Sequence, residues 1–293
     1  MVVRDRGVQA VLHLFFVVLS LICLIPFVLL IVSSVTDENF LIREGYSFFP
    51  KALSWDAYRY LLVDSDSIVR GYLISVVVTI TGTLANLALT TILAYPLSRK
   101  NLPGKNVIAF LVFFTMLFNG GLVPSYMMWT QVFHIKNTFA ALIVPNLMMG
   151  AFYVIMMRTY LTSNIPDEVV EAARIDGAGE FRILVQVVLP MSIPIIATLA
   201  LLVGLNYWND WLNGLYYINN DNLYSIQVLL YQMLMKADFL RSSAAAALLA
   251  GVVLPDVGIK MAVAVLGTLP MLIVYPFFQR FFVKGIVIGA VKG

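Results

Sequence analysis

The chain has 293 residues, of which 61% are hydrophobic and 12% charged, with a formal net charge of +3. Soluble domains carry roughly 25% charged residues, so this composition excludes a water-soluble globule and makes lipid the solvent for most of the surface. Scattered basic residues exclude a nucleic-acid face, and the one cysteine, Cys23, excludes an internal disulfide or a cysteine metal cage.

A bilayer core is crossed by about 20 apolar residues in a helix. In chain order, six runs satisfy this: residues 8–35, 71–97, 107–129, 138–157, 190–208 and 258–283. The first is too long for the apolar region of a signal peptide and reads as a retained span, with Cys23 as a small buried hydrophobe inside it. The link at 98–106 carries Arg99, Lys100 and Lys105 and no acid, and Arg4, Arg6, Arg280, Lys284 and Lys292 mark the ends. The positive-inside tendency puts all of these in the cytoplasm. Six spans make that self-consistent, with both termini inside and residues 36–70 and 209–257 outside. The spacing of Ile226, Leu229, Leu230, Met233 and Leu234 predicts an amphipathic helix over 225–239. Residues 244–254 are apolar but half a span long, and read as interfacial or external. The expected organisation is therefore a first helix and outer loop, 1–70, followed by a core, 71–293. That core contains a cytoplasmic loop at 160–189, the outer loop 209–257 and a tail at 284–293.

The runs contain no Asp or Glu, whereas ion-coupled carriers place ionisable groups within the bilayer. His13 and His134 read as packed or interfacial histidines. No phosphate-cradling G-x-x-x-x-G-K-[ST] loop is present either. If the chain moves solute uphill, another subunit supplies the energy, and no catalytic, cofactor or metal residues are expected here.

The loop at 164–190 departs from the positive-inside tendency. It carries Asp167, Glu168, Glu171, Asp176 and Glu180 against Arg174 and Arg182. Pro166 suits a first helical turn, Asp167 and Glu168 suit a helix start, and Gly177 and Gly179 stop the helix. A second short helix should run from Glu180 to Leu189–Pro190. Glu171–Ala172–Ala173, then Gly177, then Leu189–Pro190 resemble the EAA signature of binding-protein-dependent ABC importer permeases; Val187 stands where that signature usually has Ile. The resemblance implies an all-α, type I permease fold of six transmembrane helices. It also implies a cytoplasmic coupling helix in which Glu171, Ala172, Ala173, Asp176 and Gly177 dock on an ATP-binding subunit. Small alanines let such a helix enter a cleft, and the glycines form its corner.

Further stretches carry a narrower resemblance: residues 119–126 (NGGLVPSY), 207–211 (YWNDW), and the ending from Val274–Tyr275–Pro276 to Gly293. They look like the carbohydrate class, within it the oligosaccharide and polysaccharide branch, alginate importers included. This resemblance implies a set of partners. They are a second permease subunit completing a heterodimer, two ATP-binding subunits holding ATP and magnesium, an extracytoplasmic sugar-binding protein, and the lipid of a bacterial inner membrane. It further implies that Gly289, Lys292 and Gly293 reach the ATPase interface. Asn219, Asn220, Asp221 and Asn222 would face the binding protein. An ABC permease for a non-sugar solute is the nearest alternative; an ion-coupled secondary carrier is the other.

Overall fold

The computed structural model describes residues 6–62, 65–242 and 256–290. They are overwhelmingly helical, with no strand among them apart from an isolated bridge between Thr36 and Leu53. Lipid offers no partner to a backbone amide, so an apolar chain must close its own hydrogen bonds, and helix does this within one segment. The chain runs through α1 (Arg6–Ser34), α2 (Glu38–Glu44), α3 (Asp56–Leu62), α4 (Ser65–Ser98), α5 (Lys105–Leu117) and α6 (Leu122–Met127), which continues as a π-turn. There follow α7 (Ala140–Ile143), α8 (Ala151–Asn164), α9 (Asp167–Ile175), α10 (Glu180–Ile183), a π-turn leading to α11 (Leu189–Met191), and α12 (Ile193–Asn209). The last are α13 (Leu212–Tyr217), α14 (Ile226–Ser242) and α15 (Asp256–Ala290).

Three continuous helices are long and apolar enough to cross a bilayer: Gly7–Ser34, Asp66–Ser98 and Val257–Phe277. Of the other expected spans, one is bent within its length and one begins at a bend. Lys105–Leu117 meets Leu122–Val132 at 114°, and Glu180–Met191 meets Ile193–Asn209 at 82°. The first bend falls at Gly120–Gly121, where Gly121 adopts φ 86°, a conformation that costs an L side chain but not glycine. The second falls at Ser192, with Pro194 in the first turn of α12. The run expected at 138–157 is broken rather than continuous. Four residues of α7 give way at Pro145, which has no N–H to continue a helix, and Asn146 takes φ 61°. Helix resumes only at Ala151. The helix expected over 225–239 is α14, while residues 244–254 lie outside the described residues. Helix α15 continues through Gly285 and Gly289 to Ala290. Extending an existing helix is far cheaper than nucleating one.

The chain divides into two compact units, one of residues 1–68 and 230–270, the other of residues 69–229 and 271–293. In the first, residues 7–28 are exposed throughout, Cys23 included. The reading of Cys23 as buried is thus corrected: no described side chain covers this stretch of α1, whose apolar surface is suited to lipid. Only the last turn of α1 is covered, where Ser34 Oγ and Tyr58 Oη lie 2.8 Å apart. Asp37 caps α2 by accepting from Phe40 N at 3.2 Å. Next to it Glu38, 8% exposed, accepts from Val257 N and Gly258 N, each at 2.9 Å. Its carboxylate thus satisfies two N–H groups at the start of α15 that have no intrahelical partner, and it meets the positive end of the helix dipole. Gly258 makes room for this: a Cβ there would stand 3.2 Å from Glu38 Oε2 and 3.4 Å from Ala57 Cβ. Lys260, one turn on, pairs with Asp238 at 2.6 Å.

In the second unit, Ala94, Tyr95 and Leu97 of α4 pack with Val154, Met157 and Leu161 of α8, Val170 of α9, and Ile183, Val188, Ile195 and Leu199. A second cluster joins Val78, Ala141–Ile143, Val203, Tyr207 and Tyr217. Helices α4 and α12 approach closely because Gly82 faces the Tyr207 ring, where any Cβ would overlap it.

Replacing Glu38 by Ala leaves the buried Gly258 N–H and the part-buried Val257 N–H without their acceptor. Unfolding free energy in detergent micelles should fall by about 1.5–3 kcal/mol, the range for hydrogen bonds to a charged group, and less for Glu38→Gln. Equal melting temperatures for Glu38→Ala and the parent chain would remove the cap from the list of stabilising contacts.

Candidate functional site

The polar loop folds into a compact knob. Helix α8 ends at Asn164, Ile165 is buried and extended, and Pro166 sits at the N-cap with ψ 139°, one residue earlier than the helical position expected for it. A proline donates no hydrogen bond, which costs nothing at a helix start. Helix α9 closes as a Schellman motif: Gly177 has φ +82°, its N–H donates to Arg174 O at 3.1 Å, and Ala178 N donates to Ala173 O at 3.0 Å. Val170 points inward at 2% exposure and anchors the knob. Glu171, Ala172, Asp176 and Gly177 are exposed, and Ala173 is half-buried against the core. Glu171 and Asp176 make no ion pair with any described residue, so both carboxylates are available outward.

Two apolar side chains share that outward surface. Ile175 is 86% and Phe181 75% exposed. On a polar loop such residues signal a surface that another protein covers. Sequence reasoning missed them because both sit in an apolar-polar alternation that a core position would also produce.

The other side of the knob is fixed to the end of α4. Lys100 Nζ meets Asp167 Oδ2 at 2.9 Å and Arg99 Nη1 stands 3.5 Å from Asp167 Oδ1. Tyr95 Oη donates to Glu180 Oε2 at 2.7 Å, while Arg174 Nε donates to Glu180 Oε1 at 3.0 Å. The Arg99 guanidinium lies 5.2 Å over the Tyr95 ring, within cation–π reach. Arg158 Nε reaches from α8 to Leu97 O at 3.1 Å. The hydrogen bond from Lys100 holds the Asp167 carboxyl below the usual carboxylate range, and the same bond raises Lys100.

A second concentration of polar groups surrounds the broken segment 144–150. Three of its neighbouring carbonyls would otherwise be orphaned. Tyr207 Oη of α12 donates to Ile143 O at 3.0 Å, Asn213 Nδ2 of α13 to Pro145 O at 2.9 Å, and Asn86 Nδ2 of α4 to Leu147 O at 2.7 Å. Asn146, Met149 and Phe152 stay exposed. Just past the break, Tyr153 Oη accepts from Asn206 Nδ2, and Asn206 is itself exposed.

The expected outer residues lie at the other end of α4. Asn220 Oδ1 accepts from Asn222 N at 3.1 Å and caps a short turn, Asn219 N donates to Asn137 Oδ1 at 2.5 Å, and Arg70 Nη1 donates to Asn222 Oδ1. Asn219 to Asn222, Asp221 included, are all exposed. Arg70 and Tyr95 are separated by about 38 Å of helix at 1.5 Å per residue, more than the hydrocarbon thickness of a bilayer. The structure therefore does not bring knob and outer residues together. Gly289 lies within α15, and Lys292 and Gly293 lie outside the described residues. Among the described residues no three His, Cys, Asp or Glu side chains converge as a metal site needs.

Because Asp167 titrates below the ordinary value, its pairing with Lys100 contributes fully above about pH 4 and is lost as pH falls through the depressed folded value. Amide exchange over residues 166–180 should therefore be faster in Asp167→Asn than in the parent at pH 7. The two should converge only below about pH 4. Equal protection at pH 7 would show that the pair does not hold the knob.

The sequence family described as binding-protein-dependent transport system inner membrane component matches residues 5–288. The chain is 36% identical over 290 residues to the polygalacturonan/rhamnogalacturonan transport system permease protein YtcP of Bacillus subtilis (strain 168), covering 99% of this chain and 100% of that one. It is 27% identical to the arabinooligosaccharides transport system permease protein AraQ of Halalkalibacterium halodurans, covering 95% and 94%. Among solved structures it resembles a chain of a bacterial ABC transporter involved in the import of the acidic polysaccharide alginate. There the TM-score is 0.79 and the identity 26%, covering 96% of this chain and 99% of that chain.

Proposed function

The chain belongs to the family of binding-protein-dependent transport system inner membrane components, and from that premise we propose that it imports oligosaccharides as one of two different permease subunits of its ABC importer. Full-length similarity to saccharide permeases is the observation that carries this reading. Saccharide arrives on an extracytoplasmic binding protein; ATP and magnesium are held by two partner ATPases; this subunit catalyses no reaction. Glu171, Ala172, Ala173, Asp176 and Gly177, with Ile175 and Phe181 beside them, form the face that docks on one ATPase. Gly289, Lys292 and Gly293 approach the ATPase interface, and Asn219 to Asn222 meet the binding protein.

The six crossings are α1, α4, the bent pair α5–α6, the broken pair α7–α8, the pair ending in α12, and α15. Both termini and the knob are cytoplasmic. The contact of Asp167 with Arg99 and Lys100 supports this, since it holds the acidic knob against the most basic link of the chain. Non-helical backbone at membrane depth is tolerated where it is buried in protein or lines a cavity, and broken helices mark the solute path in transporters. Asn206 and Tyr153 accordingly line the path, offering an amide and an aromatic face to sugar hydroxyls and rings. Alternating access then follows from ATP-driven exchange between two states.

The test is a complex with its ATPases and binding protein reconstituted in liposomes and offered uronate oligosaccharides, including those of alginate and polygalacturonate, then neutral arabino-oligosaccharides and amino acids. Saccharide-stimulated ATP hydrolysis and uptake are expected; stimulation only by amino acids would refute the saccharide assignment. In the same assay Gly177→Val, which forces a β-branched residue into a conformation costing about 1–2 kcal/mol or more, should insert normally and lose uptake. Asn206→Leu should insert and take up saccharide more slowly; undiminished uptake would move the path elsewhere.

A further inference from the structure

We infer that α4 is a lever driven by the knob, with Tyr95 and Glu180 as its positioning residues. The inference rests on the reading above, in which partner ATPases move the knob. Covalently, the knob joins only α8 and, through α10 and α11, α12. Both junctions can hinge, at Ile165–Pro166 and at Gly177–Gly179. A knob tied by these alone would swivel when pulled. Its connection to α4 is noncovalent: Val170 shares an apolar cluster with Ala94, Tyr95 and Leu97, and polar contacts are made at two separated points. Asp167, at the start of α9, is held by Lys100 and Arg99. Glu180, beyond the glycine corner, takes the Tyr95 hydroxyl on one oxygen and Arg174 on the other.

Two points on one helix end remove the swivel. Because Arg174 lies on α9 and Glu180 on α10, their pair also closes the corner at Gly177. Tyr95 is 6% exposed, so its ring cannot shift without moving α4. Hydrogen bonds to an ionised carboxylate are about twice as strong as neutral ones, which suits Tyr95 and Glu180 to carry load. Farther along the same helix, Asn86 holds the Leu147 carbonyl in the broken segment. Nine residues of helix, about 13.5 Å, separate Tyr95 from Asn86. A displacement of the knob thus reaches the break through one rigid element, at Leu147, three residues before Gly150 and six before Tyr153 on the path side.

The experiment uses the whole importer in liposomes and measures saccharide taken up per ATP hydrolysed. Tyr95→Phe deletes one oxygen and keeps the ring, and should lower that ratio at least severalfold while ATPase copurification stays at the parental level. Glu180→Gln should also lower the ratio, and Tyr95→Phe with Glu180→Gln should be no worse than the worse single variant, since both break one linkage. A merely structural role would reduce assembled complex and leave the ratio unchanged. An unchanged ratio in Tyr95→Phe, or losses that multiply in the double variant, overturns the lever. If Glu180→Gln fails to insert, Tyr95→Phe alone decides. A parental complex that shows no ATP-driven uptake instead overturns the permease reading, and the lever with it.

Discussion

In hydrocarbon, a carbonyl without a donor has no water to fall back on, and each such group costs several kcal/mol. The segment between α7 and α8 breaks helix at Pro145 and so creates that problem within an apolar run. Its solution organises the larger unit. The donors come from α4, α12 and α13, so satisfying one irregular stretch obliges three other elements to converge on it. Tyr207 shows the dependence: its hydroxyl serves Ile143, its ring needs the bare face of Gly82, and so α4 must lie close to α12. Asn86, fully buried, spends its oxygen on Thr90 and its amide on Leu147.

At the far end of α4 the constraint is electrostatic. The knob is acidic, and part of its charge is neutralised locally. Asp167 and Glu180 face inward onto Lys100, Arg99, Arg174 and the Tyr95 hydroxyl, while Glu171 and Asp176 stay outward. Two carboxylates are internal fixings and two are presented. Exposed ion pairs of this kind are individually weak, so their value lies in direction: they specify which helix the knob is attached to.

Much of this was legible because it is local. Helix α9 followed from Pro166, two acids and Gly177; α1, α4 and α15 followed from long apolar runs; α14 followed from helical spacing. The runs 107–129 and 138–157, read as uninterrupted spans, are bent or broken, because hydropathy counts apolar residues and is blind to φ. Gly121 and Asn146 carry positive φ, and Asn146 sits in a run as apolar as its neighbours. The clamp was illegible for a different reason: Tyr95 and Glu180 are 85 positions apart, and nothing local to either says that they meet. Ile175 and Phe181 were passed over because exposure is a property of the packed chain.

The bond between Glu38 and the start of α15 has a consequence for how the protein is made. Its partners are 219 and 220 positions downstream. At roughly 5–20 residues per second of synthesis, the Glu38 carboxylate emerges some tens of seconds before the amides that will receive it. For that interval it must remain in water, since burial without a donor would be prohibitive. The loop following α1 can therefore close only when the last helix arrives. A chain that ends before residue 257 leaves this carboxylate without either of its donors, and the loop after α1 without the contact that closes it.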